Sequence, residues 1–168
     1  MTSQDIYDPA YLTRQKLLEA AEDRLATAES LGEIMYIVRG SARAIFDADG
    51  VTFVLRDGNQ CHYADEDAIG PLWKGQRFPM QTCISGWCML NRQTAVIADI
   101  FEDERIPHDV YRRTFVKSLI MAPAGSGTAV AAIGAYWDHQ RQHSQRDVDF
   151  VEALARAVGE AVLKSRAA

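Results

Sequence analysis

One stretch of this chain restricts its fold more than any other. From Cys83 to Ala124 it reads CISGWCMLNRQTAVIADIFEDERIPHDVYRRTFVKSLIMAPA. The pattern predicts a short helix over 84–91, an alternating strand over 94–100, an acidic loop over 101–108, a helical turn or two over 109–115 and a buried strand over 118–122. Irregular chain carrying charges and aromatics is therefore held between two strands. Loops held by a rigid sheet are where proteins tend to bind small molecules.

The flanking sequence fills in the architecture. Residues 9–28 read as a helix with Tyr11, Leu18 and Leu25 seven apart and Ala21 and Ala28 between them, a narrow seam of the kind that packs in coiled coils. Ser30, with Glu33 three residues on, caps a second helix whose wide apolar face includes Ile34, Ile37, Val38, Ile45 and Phe46. DADG at 47–50 ends it, with Gly50 available for a left-handed turn. VTFVLR at 51–56, the turn DGN and CHYA at 61–64 form a hairpin. Residues 65–76, rich in Asp, Glu, Gly and Pro, read as loop, and Arg77–Met80 as a short edge strand. GSG at 125–127 is a turn before the buried strand AVAAIGAYWD, and Ser144 caps a last helix with a second seam, Val151, Leu154, Val158 and Ala161. Hairpins dominate and no regular βαβ alternation appears. The expected class is α+β, a central antiparallel sheet with helices on its faces.

Composition narrows the partners. A net charge of -5 without a basic stripe argues against nucleic acid. No apolar run approaches the roughly 20 residues that span a bilayer, and the N-terminus lacks a signal-peptide pattern, so a cytoplasmic protein is expected. Three cysteines, Cys61, Cys83 and Cys88, cannot all pair within one chain, and reduced thiols are the expectation in cytosol.

The ordered set ISGWCMLNRQTAVIADI at 84–100, EDERIP at 102–107, SLIMAPA at 118–124 and AAIGAYW at 131–137 resembles the GAF domain, a sensory module of bacterial signalling proteins. Gly86, Asp99, Asp103, Arg105, Ser118, Pro123 and Gly134 occupy the places that carry the likeness, which covers about residues 30–165. The resemblance implies a profilin- or PAS-like sheet. N- and C-terminal helices would pack on one face, and short helices and loops would form a pocket on the other. It divides the chain into a helix over 1–29, expected to dimerise, and a sensory domain over 30–168. It also implies a non-catalytic input module of a sensor histidine kinase or similar protein, with a homodimer formed through the first and last helices. The physical readings beside it are structural. Gly134 marks a bulge or the close approach of a helix, Asp99 caps the loop after its strand, and Gly86 lets the middle helix start tightly against the sheet.

The residues discriminate among specific chemistries. A covalent bilin is not expected, because the residue before His108 in IPHDVY is Pro107 and offers no thiol. The carboxylates of EDER at 102–105 disfavour a cyclic nucleotide. A redox enzyme like methionine sulfoxide reductase needs two thiols within reach. Cys83 and Cys88, five apart, diverge by roughly 140° on an ideal helix, and Cys61 meets Cys83 only if strand and helix pack together. The cysteines are accordingly read as small buried hydrophobes. The four histidines are scattered, and no metal site or hydrolase motif is expected. The expected ligand contacts are Trp73, Cys83, Trp87, Asp99, His108, Tyr111, Arg112, Phe115 and Ser118, with no ligand identity implied. The alternatives are a GAF-fold cysteine-dependent redox enzyme and a ligand-free dimerisation module.

Overall fold

Alternation along two central strands sets the layers. In the strand Ser118–Ala124, Leu119 and Met121 face one way and Ile120, Ala122 and Ala124 the other; in Ala131–Trp137, Ala132 and Tyr136 oppose Ala131, Ile133, Ala135 and Trp137. Both faces are buried, so both strands read as continuous apolar runs. In the computed structural model, which describes residues 8–167, these are β5 and β6 of a six-stranded sheet. The others are β1 (Gly50–Asp57), β2 (Gln60–Ala68), β3 (Arg77–Pro79) and β4 (Ala95–Ile97). The order is β3-β2-β1-β6-β5-β4 and every pairing is antiparallel. The α+β expectation holds.

One face carries three helices, α1 (Pro9–Ala26), α2 (Leu31–Phe46) and α5 (Gln145–Ala167). The two seams close within the chain. Leu18, Ala21, Leu25 and Ala28 join Val151, Leu154, Val158 and Ala161 in the core above Phe53, Ile133 and Trp137. Phe53 and Trp137 are therefore core residues, as their strand positions suggest. The seam spacing reports intrachain helix packing; the large exposed apolar side chains left on these three helices, among the described residues, are Leu17, Tyr36 and Leu163. Arg14 ties the layer together. It donates from Nε to the Ile45 carbonyl (2.7 Å) and from its terminal nitrogen to the Phe46 carbonyl (3.1 Å) and to Asp147 (3.0 Å). No helix is long and apolar enough to cross a membrane among the described residues.

Three local readings are corrected. Residues 65–68 are strand, not loop, because their charges are partnered. Asp65 pairs with Arg39 (2.6 Å) and Lys74 (3.2 Å), Asp67 pairs with Arg43 (3.3 Å), and the Glu66 carboxylate accepts the N–H groups of Leu72, Trp73 and Lys74. The left-handed residue ending α2 is Asp47 (φ 51°). Gly50 instead lies in β1, where a Cβ would stand 2.8 Å from the Phe115 ring. Gly134 admits no helix; a Cβ there would meet the Tyr136 hydroxyl, Met121 and Thr52 within 2.7 Å, so side chains crowd it. Asp99 does cap, accepting the Phe101 N–H at 3.1 Å.

Candidate functional site

The second face of the sheet lies under α3 (Ile84–Asn91), α4 (His108–Tyr111) and the loops around them. Two-residue alternation turns Cys61 and Tyr63 of β2 toward it, and Tyr136 of β6. Trp73 enters from the loop after β2, whose backbone Glu66 anchors. The rings then pack on one another, Trp73 against Tyr111 (4.6 Å), Tyr63 (5.5 Å) and Tyr136 (5.7 Å) between centroids. Two hydroxyls in this cluster are satisfied, Tyr136 by Thr52 Oγ1 (2.8 Å) and Tyr63 by Ser85 Oγ (2.9 Å). The Tyr111 hydroxyl is buried near the Tyr136 hydroxyl and makes no hydrogen bond of good geometry among the described residues. Burial, reinforced by the neighbouring Tyr136, pushes its pKa well above the usual tyrosine range, so it is neutral. An open groove of about 400 Å³ reaches the edge of the cluster between Leu72, Trp73 and Phe78 on one side and Val110, Arg113 and Thr114 on the other.

A second site holds the thiols. Cys83 is the residue preceding α3 rather than a member of it, with extended backbone (φ -131°, ψ 155°). Its Sγ lies 3.1 Å from Cys61 Sγ and 3.4 Å from Ser85 Oγ. The hydrogen bond from Cys61 is the main cause that holds the Cys83 thiol below the usual range. Burial opposes it, and Ser85 and the Gly86 backbone N–H add to it. The same hydrogen bond, with burial, pushes the Cys61 thiol up. Cys88, one turn further, faces the sheet and donates to the Met121 carbonyl at 3.3 Å; burial raises its pKa to about 12. Gly86 is required here, since a Cβ would stand 1.9 Å from the Met80 carbonyl oxygen. Its close neighbour is thus the turn before α3 rather than the sheet.

Cys83 and Trp87 line a groove of about 330 Å³ whose other wall is Arg105, Ile106 and Pro107. Arg105 stacks over Trp87 (4.3 Å to the ring centroid) and grips Asp103 through Nε (3.0 Å) and a terminal nitrogen (2.7 Å). Those hydrogen bonds hold the Asp103 carboxyl below the ordinary carboxylate range. His108 closes the same loop, its Nε2 2.9 Å from the Asp103 carbonyl and its ring against Phe101.

The structure brings Trp73 to Tyr111 and Cys83 to Trp87, and sets His108 in the loop beside the second groove. Phe115 sits at the rim of the aromatic cluster against Gly50. Arg112 is exposed and pairs with Asp109, Asp99 is engaged in its cap, and the Ser118 hydroxyl is buried without a partner at the start of β5. Sequence reasoning passed over Tyr63, Ser85 and Tyr136. The signal for Tyr63 was present, because a residue two along a strand from Cys61 shares its face. Asp49, Asp138 and His139 lie close enough to share a cation, but Asp138 and His139 are exposed, and Asp138 already bonds both others, donating its N–H to Asp49 and pairing its carboxylate with His139.

A single antiparallel sheet between a helical layer and a loop-covered aromatic face is an α+β architecture. The family profile described as GAF domain matches residues 30–162, and the chain belongs to that family. Among solved structures it is similar to the free methionine-R-sulfoxide reductase of Neisseria meningitidis in complex with its substrate, with TM-score 0.80, 20% identity, and coverage of 95% of this chain and 93% of that one. It is similar also to the GAF domain of an Acinetobacter phosphoenolpyruvate-protein phosphotransferase (TM-score 0.78, 11% identity, 92% and 96% covered). A third is residues 122 to 287 of a methyl-accepting chemotaxis protein (TM-score 0.73, 16% identity, 88% and 97% covered). At these identities the likeness is one of fold. No curated protein sequence matches the chain.

Proposed function

We propose that this chain is a non-catalytic, small-molecule-sensing GAF domain, acting in the cytosol as the input module of a sensor kinase or similar signalling protein and working as a homodimer. The observation that carries the reading is the Tyr111 hydroxyl. An unpaired buried hydroxyl costs on the order of 1–3 kcal/mol, and a ligand group that hydrogen-bonds to it recovers that energy. Trp73 packs on the Tyr111 ring and lines the groove, so the ligand class is a largely apolar molecule with one hydrogen-bonding group, seated by displacing Trp73. Leu72, Phe78 and Val110 line its path. The signal would pass as a change in the packing of the 71–78 and 105–115 loops. A dimer would use outward helix residues such as Leu17, Tyr36 and Leu163, because the seams are consumed within the chain.

Mass spectrometry of protein purified natively from its own host tests this. A small molecule released on denaturation, and bound about tenfold more weakly by Tyr111→Phe, is the expected result. Tyr111→Phe leaves the ligand-free protein as stable as the parent or more so, since it removes an unsatisfied group. Unchanged binding by a folded Tyr111→Phe variant would sink the assignment. Size measurement showing a monomer at high concentration would remove the dimer.

A second reading is supported by the contact between Cys61 and Cys83. A cysteine-dependent reductase needs an attacking thiolate and a second thiol within reach, so that the sulfoxide oxygen leaves as water while the two thiols become a disulfide. Turnover of free methionine-R-sulfoxide coupled to thioredoxin measures it, and no turnover removes it.

A further inference from the structure

We infer that Cys83 and Cys61 form a peroxide-reactive dithiol that closes to an intrachain disulfide and shifts the N-terminal end of α3. The substrate class is a small hydroperoxide, with hydrogen peroxide the simplest. Neither the ligand reading nor sulfoxide turnover is needed for it.

The placement of the two sulfurs assigns their order of reaction. Cys83 is 6% exposed and lines the groove beside Trp87 and Arg105, whereas Cys61 is 0% exposed behind it. A small oxidant therefore meets Cys83 first. The Cys83 thiolate accepts hydrogen bonds from Cys61, Ser85 and the Gly86 N–H, which favour the nucleophilic form. It attacks one peroxide oxygen and the O–O bond breaks, giving the Cys83 sulfenic acid and hydroxide, which takes up a proton as water. The Cys61 sulfur then attacks the sulfenic sulfur, giving up its proton, and the S–O bond breaks as a second water leaves. Two thiols and one peroxide become one disulfide and two waters.

Closure is short. The sulfurs start 3.1 Å apart, and a disulfide bond of about 2.05 Å needs an approach of roughly 1 Å. Cys61 is held on both sides, opposite Arg56 in β1 and Phe78 in β3. Cys83 has no ladder partner and stands between a three-residue turn and α3, so the movement falls on it. Trp87 is one helical turn on and carries Arg105 on its ring, so the groove wall moves with the thiol. Cys88 is an internal control. It is as buried as Cys61, points at the Met121 carbonyl and has no neighbouring thiol among the described residues.

The test uses the whole reduced chain exposed to hydrogen peroxide. Intact mass is expected to fall by two hydrogens, and peptide mapping to find Cys61 joined to Cys83 with Cys88 free. Cys83 is expected to be oxidised at least about tenfold faster than Cys88. Cys61→Ala should halt at the Cys83 sulfenic acid, captured by dimedone, and Cys83→Ala should form no crosslink. Hydrogen exchange over 84–88 should differ between reduced and crosslinked protein. The inference is overturned if peroxide that oxidises glutathione leaves the wild-type pair free, or if the crosslink involves Cys88. Because the wild-type map decides alone, a variant that fails to fold does not rescue the idea.

Discussion

Replacing Arg14 by Met should unsettle the whole helical layer, and the structure sets the size of the effect. The guanidinium closes two carbonyls at the C-terminal end of α2, Ile45 and Phe46, and half of the buried Asp147 carboxylate. Its face also covers the Phe150 ring at 4.5 Å, a contact the Met stem largely keeps. Removing one partner of a buried ion pair costs about 3–5 kcal/mol. Here Arg141 stays on Asp147 at 2.6 Å, which reduces that part, while two carbonyls lose charge-assisted bonds. The net expectation is a loss of about 2–4 kcal/mol, or roughly 5–15 °C in Tm for a domain of this size. Urea denaturation followed by circular dichroism measures it, and a change under about 0.5 kcal/mol at constant slope would refute the reasoning. pH adds a second check. Burial raises the Asp147 pKa, but Arg141 and Arg14 outweigh it and the folded value lies below the ordinary one. A lowered carboxyl pKa contributes stability that is present above an unfolded value of about 3.9 and is lost as pH falls through the folded value. The gap between wild type and Arg14→Met should therefore narrow at acid pH. A gap that stays constant down to the folded pKa would place the effect elsewhere.

Three further outcomes follow from the same contacts. Glu66→Gln should weaken the anchor of three N–H groups by about 1–2 kcal/mol, and hydrogen exchange at Trp73 and Lys74 should accelerate. Gly86→Ala sets a methyl against the Met80 backbone and should cost at least about 3 kcal/mol in chemical denaturation; a neutral result would mean that the turn before α3 yields freely. Alkylation of Cys83 should stay fast below pH 8, where an ordinary thiol of pKa about 8.5 is mostly protonated, and slow only at more acid pH, with Cys61→Ala moving that midpoint upward.

The sheet was legible because its residues obey a period of two under hairpin signals. Gly58, at φ +59°, makes the DGN turn where the sequence put it. The helix seams were legible as apolar spacing, but spacing alone carries no information on whether the partner belongs to the same chain. Charges misled most. Asp65 and Asp67 look like loop until Arg39, Arg43 and Lys74 come from elsewhere in the sequence to meet them, and Glu66 until it takes the N–H groups of residues 72–74. The thiol pair was legible only as a condition. Spacing set Cys83 apart from Cys88, but whether Cys61 meets Cys83 depends on a strand and the start of a helix packing together across 22 residues, which no local pattern reports.

The helical layer has an electrostatic consequence. Asp8 at the start of α1 meets Arg146 at the start of α5, and Lys164 near the end of α5 donates to the Ala26 carbonyl at the end of α1. The first and last helices therefore run in the same direction. Parallel neighbours set positive dipole end beside positive and negative beside negative, which is repulsive. Asp8 and Asp147 stand at the two positive ends, each accepting hydrogen bonds there, and Lys164 stands at the negative ones. These three side chains make a same-sense helix pair tolerable, and reversing the sign of any one of them would set like charge on like at a helix terminus.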